Sequence, residues 1–371
     1  MDKTIAIVGL VQSLFGIMIF ISKRPPHLSF VFLIIWLAII AAFLGARLLP
    51  FQVTDYFKPG IFPLLLMFGP LLYFYVNSLS VENFKLNPLM LLHLIPLVVV
   101  GIHRTIVSPV SIGGPTNPAG NTMYFYNKIY YSLIVLSLLT YWIFSLKLIL
   151  SHRKNIPNHF SNYTSKNSLG WLISVLTLFL VLFVIDFSMS FINSVLGFEI
   201  GRFSFLTLNL TIFTFIMIFF GINQSVIYNK QRNVKEEPDN SENQEVRYSR
   251  SSLNEKQIEE LTNTVFQYLK NKKPFLNPDY SLQMMAEDLN ISRHKLSEAI
   301  NNGQKKNFYK LINEFRVEEV KEMLVNSAFS HYTVLGIGLE CGFNSKTSFN
   351  RIFKEETGFT PTEYKKSCSN F

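Results

Sequence analysis

Apolar residues dominate the first 225 positions of the chain and gather into seven long stretches. Each stretch is long enough to cross a hydrocarbon core of about 30 Å, which takes about 20 helical residues. The stretches lie near positions 4–22, 28–49, 61–79, 88–108, 129–150, 169–192 and 203–224. Because seven successive helices without a polar face are unusual in a soluble protein, the pattern predicts a bundle of seven transmembrane helices.

The first apolar stretch has a second interpretation, as a cleaved signal peptide. It is long for such a peptide, and it lacks a clear small-residue cleavage site before Lys23-Arg24. These two features favour a helix that stays in the protein. The segment 109–128, rich in Gly, Pro and Asn, is expected to be a long outer loop.

Residues 229–251 are charged and nearly devoid of apolar side chains, which predicts a flexible linker. The sequence Ser252-Leu253-Asn254-Glu255 then has the pattern of a capping box at the start of a helix. In that helix a 3-4-3 spacing relates the apolar residues Ile258, Leu261, Val265 and Tyr268. Such a stripe either packs on its own domain, which we favour because it spans only two heptads, or pairs two chains into a homodimer.

The segment 281–302 has the pattern of a helix-turn-helix. Ser281 and Ser292 can each cap a short helix, and Asn290 lies where the chain must turn sharply, a place that suits a residue tolerant of positive φ. The inward positions of the two helices are then apolar. They are Leu282, Met285, Ala286, Leu289, Leu296 and Ile300.

The same plan recurs about fifty residues later, over 333–356. Here Gly342 supplies the turn and Ser345 the cap of the second helix. Between the copies, residues 307–325 predict one long helix with a buried apolar stripe. Two such units on a stiff helix can enter successive major grooves on one face of DNA, about 34 Å apart.

Together these patterns predict an all-α protein in three parts. Residues 1–228 form a seven-helix transmembrane bundle, 229–251 a linker, and 252–371 a domain with two helix-turn-helix units. From Asn229 onward lie 21 of the 34 Lys+Arg and 20 of the 25 Asp+Glu, so 13 basic and 5 acidic residues fall in the first 228. The excess of positive charge therefore belongs to the apolar part and gives no argument for nucleic acid.

The two cysteines, Cys341 and Cys368, have no partner at metal-ligand spacing. They are expected to be buried or inert thiols. No metal or other cofactor is expected.

Two segments carry a resemblance to a known family: GFNSKTSFNRIFKEETGFTPTEYK from Gly342 to Lys365, which includes Gly358-Phe359-Thr360-Pro361, and Arg316-Val317 in the long helix. Over about Pro274–Lys366, a quarter of the chain, the sequence resembles the C-terminal domain of AraC/XylS-type bacterial transcription regulators. The resemblance implies sequence-specific DNA binding. The membrane part replaces the soluble ligand-binding domain common in that family, so no ligand residues carry over.

The resemblance further implies that base contacts come from the exposed faces of both recognition helices. By matching position these residues are His294, Ser297, Glu298, Lys346, Thr347, Asn350 and Arg351. In chemistry, Arg351 suits guanine, Asn350 adenine and Glu298 the amino group of cytosine. Basic residues suited to phosphates are Arg293, Lys295, Lys305, Lys306, Lys310 and Lys354. For any single one of them, a solvated surface charge is the alternative.

Gly336 and Gly338 depart from the family pattern, which usually has an acidic residue and Ala at these positions. Each Gly costs about 1 kcal/mol relative to Ala in a helix. We therefore expect the second helix-turn-helix unit to be the softer of the two.

Seven spans place the two ends of the chain on opposite sides of a membrane. Because a DNA-binding domain must be cytoplasmic, the N-terminus is expected outside and the protein in the inner (cytoplasmic) membrane. The excess of Lys and Arg in the inner segments agrees in sign with the positive-inside rule, and it is slight until Lys230, Arg232 and Lys235 after the last span are counted.

Asp186 is the acidic residue that lies well within an apolar stretch, where a carboxylate is costly. One hypothesis makes it the site of a signal ligand or a proton, with His93 or Tyr73 nearby. The other, which we favour, is a structural hydrogen bond to a neighbouring helix, with Asn193 or Asn209 as partner.

The expected function is that of a non-enzymatic, membrane-anchored regulator that binds promoter double-stranded DNA, contacts the lipid bilayer and responds to an unknown signal ligand or membrane partner. A histidine kinase is disfavoured because His294 and His331, the histidines after the last span, lack a phospho-acceptor setting. The alternative is a transporter or intramembrane enzyme that uses Asp186 and carries a DNA-binding reporter domain.

Overall fold

Helices make up the regular structure of the chain in the computed structural model, which describes residues 2–24, 27–49, 62–81, 84–107, 118–196, 205–224 and 253–369. Over these ranges no β-strand occurs, and one isolated antiparallel bridge joins Phe160 to Ser281. The predicted all-α class is confirmed. The chain divides into two compact units: the first is Met1–His152 with Ser168–Lys230, and the second is Arg153–Asn167 with Gln231–Phe371.

The helices up to residue 223 are α1 Asp2–Ser22, α2 Leu28–Leu48, α3 Phe68–Ser80, α4 Ile95–Val107, α5 Pro118–His159, α6 Ser165–Ser168, α7 Gly170–Leu196 and α8 Phe205–Asn223. Short 3-10 turns at Phe62–Met67 and Pro88–Leu94 lead into α3 and α4. Within the described ranges, seven segments are long and apolar enough to cross a membrane. They are Lys3–Ser22, Leu28–Leu48, Pro63–Ser80, Pro88–Ile106, Ile129–His159, Gly170–Met189 and Phe205–Asn223, one in each predicted stretch.

An aromatic cluster forms the centre of the first unit. Trp36 of α2 packs edge-on against Phe213 of α8 with ring centroids 4.7 Å apart, and Phe179 of α7 lies 4.1 Å from Phe213. Phe68 at the start of α3 lies 5.5 Å from Trp36. Aromatic pairs at such distances contribute about 0.5–1.5 kcal/mol each beyond their buried area. This cluster therefore ties four of the apolar helices together.

The outward faces of the apolar helices are themselves apolar. On α1 the side chains Val11, Phe15 and Met18 are all more than half exposed. In water a continuous row of this kind would lose the hydrophobic free energy of burial. These faces therefore suit contact with lipid acyl chains.

Helix α5 is longer at both ends than the sequence pattern predicted. It begins at Pro118, so the expected loop 109–128 is wrong over its second half, and residues 109–117 lie outside the described residues. Proline has its φ preset for a helix and gives up an amide that has no partner in the first turn, which explains the early start. The helix also continues past position 150 to His159, through Pro157 in its last turn.

The second unit contains α9 Glu255–Lys272, α10 Leu282–Leu289, α11 Arg293–Gln304, α12 Phe308–Val325, α13 Val334–Glu340, α14 Lys346–Thr357 and α15 Pro361–Ser369. Helices α10 and α11 lie within the first predicted helix-turn-helix, α13 and α14 lie within the second, and α12 lies between them. Two apolar clusters hold them. One packs α9, α10 and α11 against the start of α12, and the other packs α13 and α14 against its end.

Side-chain hydrogen bonds cap the N-termini of three of these helices at the residues that the sequence predicted. The side chains of Ser281, Ser292 and Ser345 each accept a hydrogen bond from the amide three residues later. Asn290 has φ +54° and Gly342 has φ +90°, the left-handed conformations that the two tight turns require. Both turns between the paired helices are therefore built as predicted.

The start of α9 differs from the prediction. Ser252 lies outside the described residues, and Asn254 is the cap: its side chain accepts from the Gln257 amide, and the Gln257 side chain accepts from the Asn254 amide. In the stripe that follows, Val265 is buried in the core of the second unit, and Tyr268 packs against that core. The stripe thus packs on its own domain, as we favoured, and is not an exposed coiled-coil face.

Gly338 has a packing role that the sequence did not show. A β-carbon at this position would lie 2.7–2.8 Å from the ring of Phe349, closer than real contacts allow. Helix α13 can approach α14 this closely only because the side chain is absent. For Gly338, close packing therefore offsets the cost in helix propensity that led us to expect a softer unit.

We expect Gly338→Ala to lower the free energy of unfolding of the second unit. Overpacking of this kind costs about 1–3 kcal/mol, of which about 1 kcal/mol is recovered through helix propensity. Hydrogen exchange of the α13 and α14 amides in the full chain measures the change. The cost should shrink in a Phe349→Leu background, and an equal cost in both backgrounds would contradict the contact.

Candidate nucleic-acid interface

Helix α14 presents one polar face to solvent. Its inward side carries Phe349, Ile352 and Phe353, which are buried in the second apolar cluster. The four residues predicted for base contacts are all exposed; they are Lys346, Thr347, Asn350 and Arg351. Their spacing of one, three and one residues places them on the same side of the helix. This face has the donors and acceptors that reading base edges requires.

Arg351 is held in place by two neighbours. Its Nη1 donates to the Glu355 carboxylate at 2.8 Å and 2.9 Å, and its Nη2 donates to the Tyr309 hydroxyl at 2.9 Å. Half of its side-chain surface remains exposed. The guanidinium is therefore oriented at the surface before any base is bound, which lowers the entropy lost on binding.

The first recognition helix, α11, offers fewer exposed groups. His294 is exposed and Ser297 is half-buried. The side chain of Glu298 is only 10% exposed; it accepts from the Leu253 amide at 3.4 Å and lies 3.9 Å from His294. The predicted contact of Glu298 with cytosine thus depends on a carboxylate that faces the start of α9. The helical periodicity of the sequence placed Glu298 on the outward face. It could not show that another segment of the chain lies over that face.

The residues predicted to contact phosphates also differ in exposure. Four are exposed: Lys295, Lys305, Lys310 and Lys354. Lys306 donates to Glu314 at 2.7 Å. Arg293 is partly buried, and burial lowers the pKa of its guanidinium. The exposed lysines are the better placed to neutralise a DNA backbone.

Arg316, noted in the sequence only as a family match, is wholly buried in α12. Its Nε donates to the Phe275 carbonyl at 2.7 Å and its Nη2 to the Asn277 carbonyl at 2.9 Å. Burial lowers the pKa of the Arg316 guanidinium to about 9, so it stays positively charged at neutral pH. This buried cation joins the linker helix α12 to the segment that precedes the first helix-turn-helix.

Among the described residues, no group of three or more His, Cys, Asp or Glu side chains is arranged so that it could bind a metal ion. Cys341 is buried, and burial raises the pKa of its thiol to about 12, which makes it inert. Cys368 is a free, partly buried cysteine.

In the first unit, Asp186 accepts a hydrogen bond from the backbone of Leu206 and interacts electrostatically with the positive charge of Arg47. His93, considered above as a neighbour of Asp186, instead bonds to the Tyr141 hydroxyl. The side-chain amide of Asn209 has no hydrogen-bond partner among the described residues, so it is not the partner of Asp186. The side chain of Asn193 lies outside the described residues.

Comparison with known proteins agrees with the geometry of the second unit. A family model described as a helix-turn-helix domain matches residues 285–367. This part of the chain is a helix-turn-helix domain of the AraC type. The chain is also 25% identical over 135 residues to an uncharacterized HTH-type transcriptional regulator in the cgkA 5′ region of Pseudoalteromonas carrageenovora, a match that covers 36% of this chain and 74% of that protein. No solved structure matches the chain.

We expect Arg351→Ala and Lys354→Ala to weaken DNA binding by the AraC-type domain in different ways. Loss of the Arg351 guanidinium, predicted to read a base, should cost about 1–3 kcal/mol of specific binding and relax the preference at one base pair. Loss of Lys354 should weaken binding to all sequences. It should also reduce the magnitude of the slope of log K against log salt concentration by about one. Titrations against specific and random duplexes at several salt concentrations separate the two effects, and identical profiles would remove Arg351 from the base-reading set.

Proposed function

We propose that this DNA-binding regulator works from the membrane: its apolar helices anchor it in the inner membrane, and a signal received there changes the binding of its helix-turn-helix domain to a promoter. The observation that carries the proposal is the presence in one chain of seven apolar helices with apolar outward faces and an AraC-type domain with an exposed polar recognition face. In this proposal the two recognition helices enter successive major grooves.

The composition of the second unit supports the proposed orientation. Residues 153–167 belong to the same compact unit as the helix-turn-helix domain. Two candidate spans, those in α7 and α8, lie between that segment and the domain along the chain. An even number of crossings returns the chain to the side it left, so both parts share one face of the membrane. DNA is cytoplasmic, which makes that face the inner one and leaves the N-terminus outside.

The alternative of a transporter or intramembrane enzyme depends on Asp186. This carboxylate accepts a hydrogen bond from the backbone of Leu206 at the start of α8, and the positive charge of Arg47 on α2 acts on it without a direct ion pair. A carboxylate that bonds one helix to another in this way serves the packing of the bundle. We therefore propose a structural role for Asp186 and keep the regulator, without enzymatic activity, as the function. A homodimer and the identity of the signal stay outside this proposal.

We expect Asp186→Asn to preserve the thermal stability of the detergent-solubilised full chain, because the amide oxygen still accepts the hydrogen bond from Leu206. Asp186→Leu should lower it, since interhelical hydrogen bonds in membrane proteins contribute about 0.6–2 kcal/mol. Equal damage by both substitutions would show that the negative charge itself is needed and would reopen the ligand or proton site.

Genome-wide mapping of DNA crosslinked to the intact membrane protein tests the proposed function. We expect discrete promoter sites that share one motif. The double variant Asn350→Ala with Arg351→Ala should lose this enrichment while remaining in the membrane fraction. Uniform recovery of DNA by the unsubstituted protein would overturn the proposal.

A further inference from the structure

The segment between α5 and α6 contacts the DNA-binding part of the chain at several points. We propose that residues 160–163 (Phe160, Ser161, Asn162 and Tyr163), here called the clasp, bind a cleft between the two helix-turn-helix units and hold the two recognition helices in a fixed relative orientation. The partner of this surface is thus a segment of the same chain, more than a hundred residues away in sequence. The inference rests on the proposed function, because it assigns the regulation of that DNA-binding site.

The clasp contacts the start of the first helix-turn-helix. Phe160 forms an antiparallel bridge with Ser281, the residue that caps α10. The Tyr280 carbonyl accepts from both the Ser161 amide at 3.3 Å and the Ser161 hydroxyl at 2.5 Å. Asn162 Nδ2 donates to the Pro278 carbonyl at 2.6 Å. Through these bonds the clasp lies as a short, strand-like segment beside residues 278–281, where the first helix-turn-helix begins.

The same residues contact the second helix-turn-helix. Asn162 Nδ2 also donates to the carbonyl of Gly342, the turn residue between α13 and α14, at 3.0 Å. Asn344 Nδ2, two residues further along, donates to the Tyr163 carbonyl at 3.1 Å. One side-chain amide, that of Asn162, therefore bonds at once to the segment that precedes the first helix-turn-helix and to the turn of the second.

The linker helix α12 completes the cleft. Arg316 donates from Nη1 to the Ser161 carbonyl at 3.1 Å and from Nη2 to the Ser161 hydroxyl at 3.0 Å. Asn313 Nδ2 donates to the same carbonyl at 3.3 Å. Ser161 and Asn162 are only 1% and 2% exposed. Without the clasp, the buried guanidinium of Arg316 and the carbonyls of the buried residues Tyr280 and Gly342 would lose hydrogen-bond partners, which is unfavourable. The cleft is therefore shaped for an occupant with these polar groups.

Tyr163, the last residue of the clasp, is linked through one contact to the exposed polar face of α14. The ring of Tyr163 packs edge-on against Tyr309 of α12, with centroids 5.6 Å apart. The Tyr309 hydroxyl in turn accepts from Arg351, the predicted guanine-reading side chain. A displacement of Tyr163 thus reaches a base-contacting residue through one intervening ring.

The clasp is covalently continuous with two candidate spans. It directly follows α5 and precedes α7 by only six residues. In this proposal, a movement of either helix acts on the cleft through the clasp. The structure thereby assigns the coupling between membrane part and DNA-binding domain to the clasp.

The test uses the full chain in lipid nanodiscs with the variants Asn162→Ala and Tyr163→Ala. Asn155→Ala is the matched control, because Asn155 is an exposed residue near the end of α5. Tyr163→Phe retains the ring and serves as the conservative variant. Affinity is measured for a selected specific duplex and for random DNA, and hydrogen exchange is followed at 274–281 and 341–345.

Removal of the two Asn162 hydrogen bonds should speed amide exchange at both segments roughly ten-fold. Specific DNA binding should weaken about five-fold or more in Asn162→Ala and Tyr163→Ala, because two loosened units must be ordered on binding, while binding to random DNA stays unchanged. Asn155→Ala and Tyr163→Phe should match the unsubstituted chain. Asn344→Ala removes the hydrogen bond to the Tyr163 carbonyl from the other side. It should weaken specific DNA binding in the same direction but less, and because Asn344 is exposed the domain should still fold.

Unchanged exchange at both segments would overturn the clasp. Tighter specific DNA binding in Asn162→Ala and Tyr163→Ala would overturn the proposal that the clasp positions the recognition helices. It would show instead that the clasp inhibits DNA binding. Failure of the unsubstituted chain to bind any duplex would instead count against the proposed function, since the exchange measurement tests the clasp without DNA. Protection of the α12 amides in every variant verifies that the domain is folded.

Discussion

The buried guanidinium of Arg316 is the interaction on which the architecture of the second unit depends. It donates to the carbonyls of Phe275 and Asn277 and to Ser161, so two separate stretches of chain meet at one side chain of the linker helix. A buried cation of this kind is tolerated only when its donors are satisfied, and removal of any partner leaves a polar group in a dry interior. The position of the two helix-turn-helix units along α12 is thereby fixed by polar geometry as well as by apolar packing.

Gly342 shows how closely the second unit is built around that cation. A β-carbon at this position would lie 2.4 Å from the Phe275 carbonyl oxygen and 2.9 Å from Arg316 Nε, and its φ of +90° already disfavours other residues. The turn of the second helix-turn-helix therefore rests against the guanidinium. The same turn offers its carbonyl to Asn162. Arg316, Gly342 and the clasp form one hydrogen-bonded arrangement from which both recognition helices extend.

The sequence predicted the parts of this structure that are set locally. The Ser caps, the left-handed Asn290 and the seven apolar helices follow from propensities within a few residues. Features set by distant contacts were missed: the burial of Glu298 under Leu253, the need for Gly338 beside Phe349, and the bonds of Ser161 to residues 119 and 155 positions away. A periodicity records which side of a helix is apolar, but not which other segment covers its polar side. The exposure of the α14 residues followed from periodicity alone because no described segment covers that face, as the exposure of Asn350 shows.

In the function proposed above, a membrane anchor restricts how the DNA-binding domain can meet DNA, so the relative placement of its two recognition helices is the property that we propose a signal changes. If the clasp and Arg316 hold that placement, the full chain must contact two successive major grooves at once. Hydroxyl-radical footprinting of the nanodisc-embedded full chain on a selected promoter duplex measures this directly. We predict two protected windows on one face of the duplex, separated by about 10–10.5 base pairs. A single protected window, or protection without a fixed spacing, would contradict the account.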